Sequence, residues 1–114
     1  MARAPTTTDA FNAVAEPLRR RILEALSGGG EQSVNELVAR LRLEQPQVSK
    51  HLRVLREVGL VEARVDGRQR LYRLDAKPLK PIHEWVRKFE ETWNDRFDAM
   101  DEVLEDLKKE ERRR

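Results

Sequence analysis

The sequence predicts a mainly α-helical domain that carries one β-hairpin, and three observations lead to this fold class. Apolar residues recur at helical spacing in four segments between Asp9 and Gly59. The pattern then changes to a two-residue alternation on both sides of a turn at Asp66 and Gly67. Helical spacing returns near Pro78 and continues to Leu107.

Length and composition limit the classes of protein to consider. The chain has 114 residues, of which 39% are apolar and 39% are charged, so it is one small domain with little apolar mass to bury alone. We therefore expect self-association. The chain has no cysteine, which excludes disulfide frameworks, thiolate metal sites and cysteine nucleophiles.

The sequence contains no apolar run of the roughly 20 residues that a membrane span requires. The first eight residues also lack the apolar segment of a secretion signal, and we interpret residues 1–8 as a flexible lead-in. The prediction is a soluble, cytoplasmic protein without a membrane partner, whose folded domain spans residues 9–107.

Two helices are expected first. Asp9 is a suitable N-cap for a short helix that carries Phe11 and Val14. Pro17 suits the first position of a second helix, and the three glycines 28–30 end it because glycine is costly to order inside a helix.

A closely spaced pair of helices follows. Ser33 and Glu36 form a capping box ahead of an apolar set at helical spacing, which marks the third helix. Only residues 42–44 separate it from a fourth helix that starts at Gln45 and Pro46. Gly59 can supply the left-handed residue that ends this fourth helix.

The hairpin after Gly59 has a basic tip. Four arginines cluster there, namely Arg64, Arg68, Arg70 and Arg73. Between Arg40 and Arg73 the chain has nine basic and four acidic side chains, a local net charge of +5 that suits a polyanion. The alternative is that the arginines pair with Asp66 or Glu62, but exposed pairs contribute only about 0 to 1 kcal/mol and do not explain the cluster.

The last predicted helix, about residues 78–107, has a nearly heptad apolar seam. A helix of about 30 residues is roughly 45 Å long, more than one small core can cover, so part of the seam is expected to pack on another chain. The residues assigned to this seam are Ile82, Val86, Phe89, Trp93, Phe97 and Met100. The alternative is a small-molecule pocket lined by Trp85, Trp93 and Phe97. Residues 108–114 are interpreted as a charged tail that frays.

Two helices joined by a short turn and followed by a hairpin form the order of a winged helix-turn-helix, in which the second helix of the pair enters the DNA major groove. Here that is the fourth helix, whose outer face has amide, hydroxyl and cationic side chains that can bond base edges or phosphates. The predicted DNA contacts are Gln45, Gln47, Ser49, Lys50, His51 and Arg53 on this helix, with Arg68 and Arg70 on the hairpin. An ordinary solvated face is the alternative.

Several of these segments resemble one known family. The stretches PLRRRILEAL (17–26), QPQVSKHLRVLREVGLV (45–61) and DGRQRLYRL (66–74) look like those of an ArsR-type winged helix-turn-helix transcriptional regulator. The resemblance implies a homodimeric repressor on a near-palindromic operator in double-stranded DNA. It also implies a dimer interface made by the first and last helices, which adds Phe11 and Val14 to the predicted interface.

The chain departs from the metal-sensing members of that family. The family's thiolate site would lie on the third helix, where this chain has no cysteine. Another family site uses carboxylates and histidines on the last helix, but His83 is the only histidine there, which is too few for a zinc site. We therefore expect no metal and no cofactor, and any small-molecule effector is unidentified.

Two other functions are the alternatives. A winged-helix module that binds an acidic protein partner would use the same basic face. An enzyme is disfavoured, because Ser49 and His51 are two residues apart on a helix and do not face each other as a nucleophile and base must.

Overall fold

The computed structural model describes residues 9–113, so the predicted lead-in, residues 1–8, lies outside the described residues. The first compact unit ends at Ile82 and the second begins at His83. The elements in chain order are α1 (Ala10–Ala15), α2 (Pro17–Gly29), β1 (Gln32–Ser33), α3 (Val34–Leu41), α4 (Gln45–Glu57), β2 (Val61–Asp66), β3 (Gln69–Leu74), α5 (Lys80–Arg87) and α6 (Glu90–Arg113). The predicted fold class, mainly helical with a β-hairpin wing, is confirmed.

Polar side chains close the ends of the first helices. The Asp9 carboxylate accepts a hydrogen bond from the Asn12 amide at 2.9 Å, as an N-cap does. The Arg19 and Arg20 guanidinium groups each donate to α1 carbonyls, Arg19 to Ala13 and Arg20 to Val14, both at 2.7 Å. These two basic side chains therefore satisfy the carbonyls that the end of α1 leaves without helical partners.

The turn between α3 and α4 is short and tightly determined. The Ser33 side chain and the Glu36 amide form one half of the predicted capping box, and the Glu36 carboxylate accepts from the Ser33 amide in the other. Arg42 follows α3 in the left-handed region, at φ 55°. The Arg21 guanidinium donates to the Leu41 carbonyl at 3.0 Å, so the end of α3 is tied to α2.

A single apolar core lies in the first unit, between the helices and the sheet. Its largest fully buried side chains are Ile22, Leu26, Leu37, Val48, Leu52, Leu55 and Leu60. Leu60, which the sequence analysis did not single out, is completely buried directly after the turn that ends α4. Val14 and Ile82 pack against this core and are partly buried. The core of the same chain therefore buries part of the apolar surface that the sequence predicts for a dimer interface.

The wing is a hairpin with a third strand. β2 and β3 pair antiparallel from Val61 with Leu74 to Asp66 with Gln69, so the two turn residues are Gly67 and Arg68. The predicted turn at Asp66 and Gly67 is thus displaced by one residue, because Gly67, at φ 63°, occupies the first turn position. β1 adds to the other edge of β3 and was not predicted, since two residues are too short to show an alternating pattern.

The predicted long helix is interrupted. A 3₁₀ turn at Lys77–Leu79 precedes α5, and α5 ends before Lys88 and Phe89. The amides of these two residues donate to carbonyls three residues earlier, Lys88 to Trp85 at 3.2 Å and Phe89 to Val86 at 3.0 Å. Such bonds tighten the last turn of a helix and end the regular α-helical pattern. The prediction of one continuous helix over 78–107 was therefore wrong.

The C-terminal helix α6 runs for 24 residues, which corresponds to about 36 Å. It continues to Arg113, beyond the predicted end near Leu107, so the charged segment from Lys108 to Arg113 is helical rather than frayed. No helix within residues 9–113 combines the length and the apolar character that crossing a membrane demands.

Ser33 makes a stability prediction possible. Replacing it in Ser33→Ala removes the N-cap of α3 from a site that is 6% exposed, so the free energy of unfolding should fall by about 1 kcal/mol. Urea denaturation measures this change. Ser27→Ala is the matched control, because the Ser27 hydroxyl is exposed and donates only to the Glu24 carbonyl of its own helix. Equal effects of the two substitutions would contradict the capping role.

Candidate nucleic-acid interface

Helix α4 has one buried face and one outward polar face. Val48, Leu52 and Leu55 are buried in the core and fix the rotation of the helix about its axis. Of the predicted DNA contacts on this helix, Gln45, Gln47, Lys50 and Arg53 are exposed, while Ser49 is half-buried. The helix therefore presents amide and cationic groups to solvent, as base and phosphate recognition require.

Two of the exposed side chains on α4 differ in whether they already have a partner within the described part of the chain. The Gln47 side-chain oxygen accepts from the Glu44 amide at 3.4 Å, so Gln47 helps to close the first turn of α4. Lys50 makes no ion pair with any residue of the described chain, which leaves its charge available to a ligand.

The four wing arginines fall into two pairs. Arg64 is held by Glu31, with 2.5 Å between Nε and Oε2, and Arg73 by Glu62, with 2.5 Å between Nη2 and Oε2. The hydrogen bond and charge of the partner carboxylate raise the pKa of each of these arginines, so both stay charged. Arg68 and Arg70 have no ion pair within residues 9–113. The alternative of pairing to Asp66 or Glu62 holds for Arg73, which pairs with Glu62, but not for Arg68 and Arg70.

The hairpin tip and the start of α4 line one shallow groove of about 200 Å³. Its walls bring Gln45 together with Arg68 and Arg70, three of the predicted DNA contacts from separate parts of the sequence. Gln69 and the start of α3, including Asn35, complete the lining. Sequence analysis missed Asn35 and Gln69. Asn35 lies two residues after the Ser33 cap, in the first turn of α3, and this position was the one signal in the sequence that could have placed it near the groove.

His51 occupies a different environment from the exposed residues of α4. Its Nδ1 atom is buried and has no hydrogen-bond partner among the described residues. Burial lowers the pKa of this imidazole and the Arg19 guanidinium lowers it further, while the Glu16 carboxylate acts in the opposite direction. The ring thus interacts with the charges at the start of α2.

The second unit presents an apolar row along its helices. Phe89, Trp93, Phe97 and Met100 have exposed fractions of 41%, 45%, 61% and 58%, and Val86 is half-buried. The Phe89 ring lies 6.4 Å from that of Trp93 in a stacked arrangement and 5.2 Å from that of Trp85 in an edge arrangement. The row continues through Val103, Leu104 and Leu107, all more than half exposed. In the first unit, Phe11 is also exposed.

Metal ligation has little support in the geometry. Within the described residues, no three His, Cys, Asp or Glu side chains converge on a point where a metal ion would fit. His83 is exposed on α5.

Comparisons with known proteins agree on one family. A family model described as bacterial regulatory protein, arsR family, matches residues 16–63. An HTH-type transcriptional regulator of Mycobacterium tuberculosis is 38% identical over 80 residues, which are 70% of this chain and 74% of that protein. The transcriptional repressor SdpR of Bacillus subtilis is 27% identical over 79 residues, 69% of this chain and 87% of that protein.

A solved structure extends the similarity to three dimensions. The crystal structure of a possible transcriptional regulator for arsenical resistance is 44% identical to this chain, with a TM-score of 0.63. The match covers 71% of this chain and 83% of that one.

His51 gives the protein a predictable pH dependence. Because its pKa in the folded state is below the ordinary value of 6.5, the unfolded chain takes up this proton first as the pH falls. The contribution of His51 to stability is therefore complete above about pH 6.5 and is lost on acidification. Urea denaturation at pH 7.5 and 5.5 should show a smaller loss of stability for His51→Gln than for the wild type. His83→Gln, at the exposed histidine, should behave as the wild type, and identical losses in all three proteins would refute the assignment.

Proposed function

The chain belongs to the arsR family of bacterial regulatory proteins and is a DNA-binding regulator of transcription, and we propose that it represses transcription as a homodimer seated on promoter DNA. The site of action would be a near-palindromic operator. Its two half-sites would lie about one helical turn, roughly 10 bp, or a multiple of it apart, so that both subunits meet the same face of the duplex. Such a regulator works in the cytoplasm, where the promoter is.

The observation that carries this proposal is the groove between the wing and the start of α4. Arg68 and Arg70, whose charges no carboxylate of the described chain neutralises, share this groove with Gln45. A duplex offers phosphates and base edges side by side, and a cationic wing next to an amide-bearing helix matches that combination.

Each side chain has a proposed role. Gln45, Gln47, Ser49, Lys50 and Arg53 on α4 would face the major groove, where amides can bond adenine and cations can bond guanine. Arg68 and Arg70 would bind the neighbouring minor groove or its phosphates. We leave His51 out of the contact surface, because its Nδ1 atom is buried and burial lowers the pKa of its imidazole.

Dimerisation is proposed through the apolar row of the second unit, centred on Phe89, Trp93, Phe97 and Met100, together with Phe11 of α1. The four side chains of the row are 41% to 61% exposed, and a contiguous apolar row along one unit is typical of an interaction site. A two-fold axis would then relate two recognition helices, which matches a near-palindromic site.

We propose no enzymatic activity. The family and the relatives are regulators of transcription, a non-enzymatic role. Ser49 and His51 are also separated on α4, and the buried Nδ1 of His51 has no hydroxyl partner within residues 9–113. Sensing of arsenic through thiolates is likewise not proposed, since this chain has no cysteine to supply the ligands.

The wing can be tested by salt dependence. Arg68→Ala should weaken binding to all duplexes several-fold and reduce the slope of log K against log salt by about 0.9, because one phosphate contact is lost. Fluorescence anisotropy from 50 to 200 mM salt measures both. Arg73→Ala is the matched control, since Glu62 already neutralises Arg73, and its slope should stay near that of the wild type. An unchanged slope in Arg68→Ala would remove the wing from the mechanism.

Base preference can be tested on α4. Gln47→Ala and Lys50→Ala should each relax the choice of base at one position per half-site, with a loss of about 1 to 3 kcal/mol of discrimination. Selection from a random duplex pool followed by sequencing shows the change. Glu57→Ala, at the exposed C-terminal end of the same helix, should select the wild-type sequence. If all three variants select that sequence, α4 does not recognise bases through these side chains.

The proposed dimer interface makes a further prediction. Phe97→Glu places a charge in the middle of the apolar row, where the side chain is 61% exposed, so the monomer should fold but no longer associate. Sedimentation at micromolar protein should show a dimer for the wild type and for the neighbouring control Asp98→Ala, and a monomer for Phe97→Glu. A wild-type monomer would exclude the interface.

A further inference from the structure

The four wing arginines have the same chemistry but different neighbours, and this difference points to a role for Glu31. We propose that Glu31 withholds Arg64 from DNA and thereby lowers the affinity of the protein for DNA of any sequence. This inference rests on the proposed function, because it concerns the same DNA-binding surface.

The strand register places Arg64 within reach of bound DNA. Asp66 and Gln69 form the pair next to the turn, and Arg64 opposite Leu71 forms the third pair. At 3.3 Å per residue, Arg64 is about 7 Å from the tip, within the span of an extended arginine side chain. Arg73 is opposite Glu62 in the fifth pair, about 13 Å from the tip. Of the two paired arginines, Arg64 is therefore the one that a phosphate at the wing could attract.

The Glu31–Arg64 ion pair is not needed to hold the wing in place. Backbone pairing of Gln32 with Tyr72 and of Ser33 with Leu71 already fixes β3, and the Tyr72 side chain is buried. The ion pair itself is exposed, with 57% of the Arg64 side chain and 36% of the Glu31 side chain accessible, and exposed pairs contribute little to stability. Its main effect is the neutralisation of one positive charge on the wing, two strand pairs from the tip.

Neutralising that charge lowers the affinity for any duplex. Binding to DNA of any sequence depends on cations that replace counterions along the phosphates, whereas the choice of sequence depends on contacts to bases. A cation paired with a carboxylate displaces fewer counterions. Glu31 would thus weaken binding to all duplexes by a similar factor, while the base contacts of α4 and the choice of sequence stay unchanged.

A double-mutant cycle on the full chain tests this proposal. The proteins are the wild type, Glu31→Gln, Arg64→Gln and the double variant, and the probe is a scrambled duplex measured by anisotropy from 50 to 200 mM salt. Glu31→Gln should bind about three-fold more tightly than the wild type at 50 mM salt, with a slope steeper by about 0.9. In the Arg64→Gln background the same substitution should have no effect, because there is no arginine to release.

Glu62→Gln is the matched control. It breaks the equivalent pair on the same hairpin, further from the tip, and should leave affinity and slope close to those of the wild type. Thermal unfolding of each variant verifies that the fold is retained.

Each other outcome has a definite meaning. Weaker binding by Glu31→Gln would overturn the proposal and show that the pair positions the wing. A gain that persists in the Arg64→Gln background would overturn it in favour of general charge repulsion. A wild type that binds no duplex would remove the proposed function and this inference together, whereas normal wild-type binding without coupling between residues 31 and 64 would remove the inference alone.

Discussion

The proposed DNA-binding surface depends on the pairing of the two-residue strand β1 with β3. Ser33 is at once the last residue of β1 and the N-cap of α3, so one residue links the sheet to the helix-turn-helix. The buried Gln32 side chain donates to the Ala25 carbonyl at 2.9 Å and thereby ties the same strand to α2. The hairpin pairs with this short segment, and α3, which a short turn joins to α4, begins at its end, so the segment connects the parts of the chain that line the groove.

The chain uses its positive charges in three distinct ways. Arg19 and Arg20 complete the end of α1 and belong to the scaffold rather than to a site. Arg64 is balanced by a carboxylate, while Arg68 and Arg70 at the tip have no such partner in the described part of the chain. The net charge of +5 between residues 40 and 73 therefore overstates the charge available to a ligand. The positions of the carboxylates decide which cations can bind one.

The sequence was sufficient for the elements with strong local signals. The capping box at Ser33, the proline starts of α2 and α4 and the change of period after Gly59 each depend on residues close in the chain, and the structure confirms them. What the sequence could not predict depends on distant residues. β1 exists only because β3 returns to it, and the Glu31–Arg64 pair joins residues 33 positions apart. The break at Lys88 and Phe89 has no proline or glycine to announce it.

The proposed pairing of two chains through the exposed apolar row of the second unit would tie the activity of the protein to its abundance. Anything that binds the folded chain stabilises it by mass action, and for a dimer the binding partner is a second molecule of the same protein. Where the paired form is the one that occupies the promoter, occupancy at low protein levels rises with the square of the amount of free chain. A modest change in synthesis or degradation would then produce a disproportionate change in repression, without any inducer.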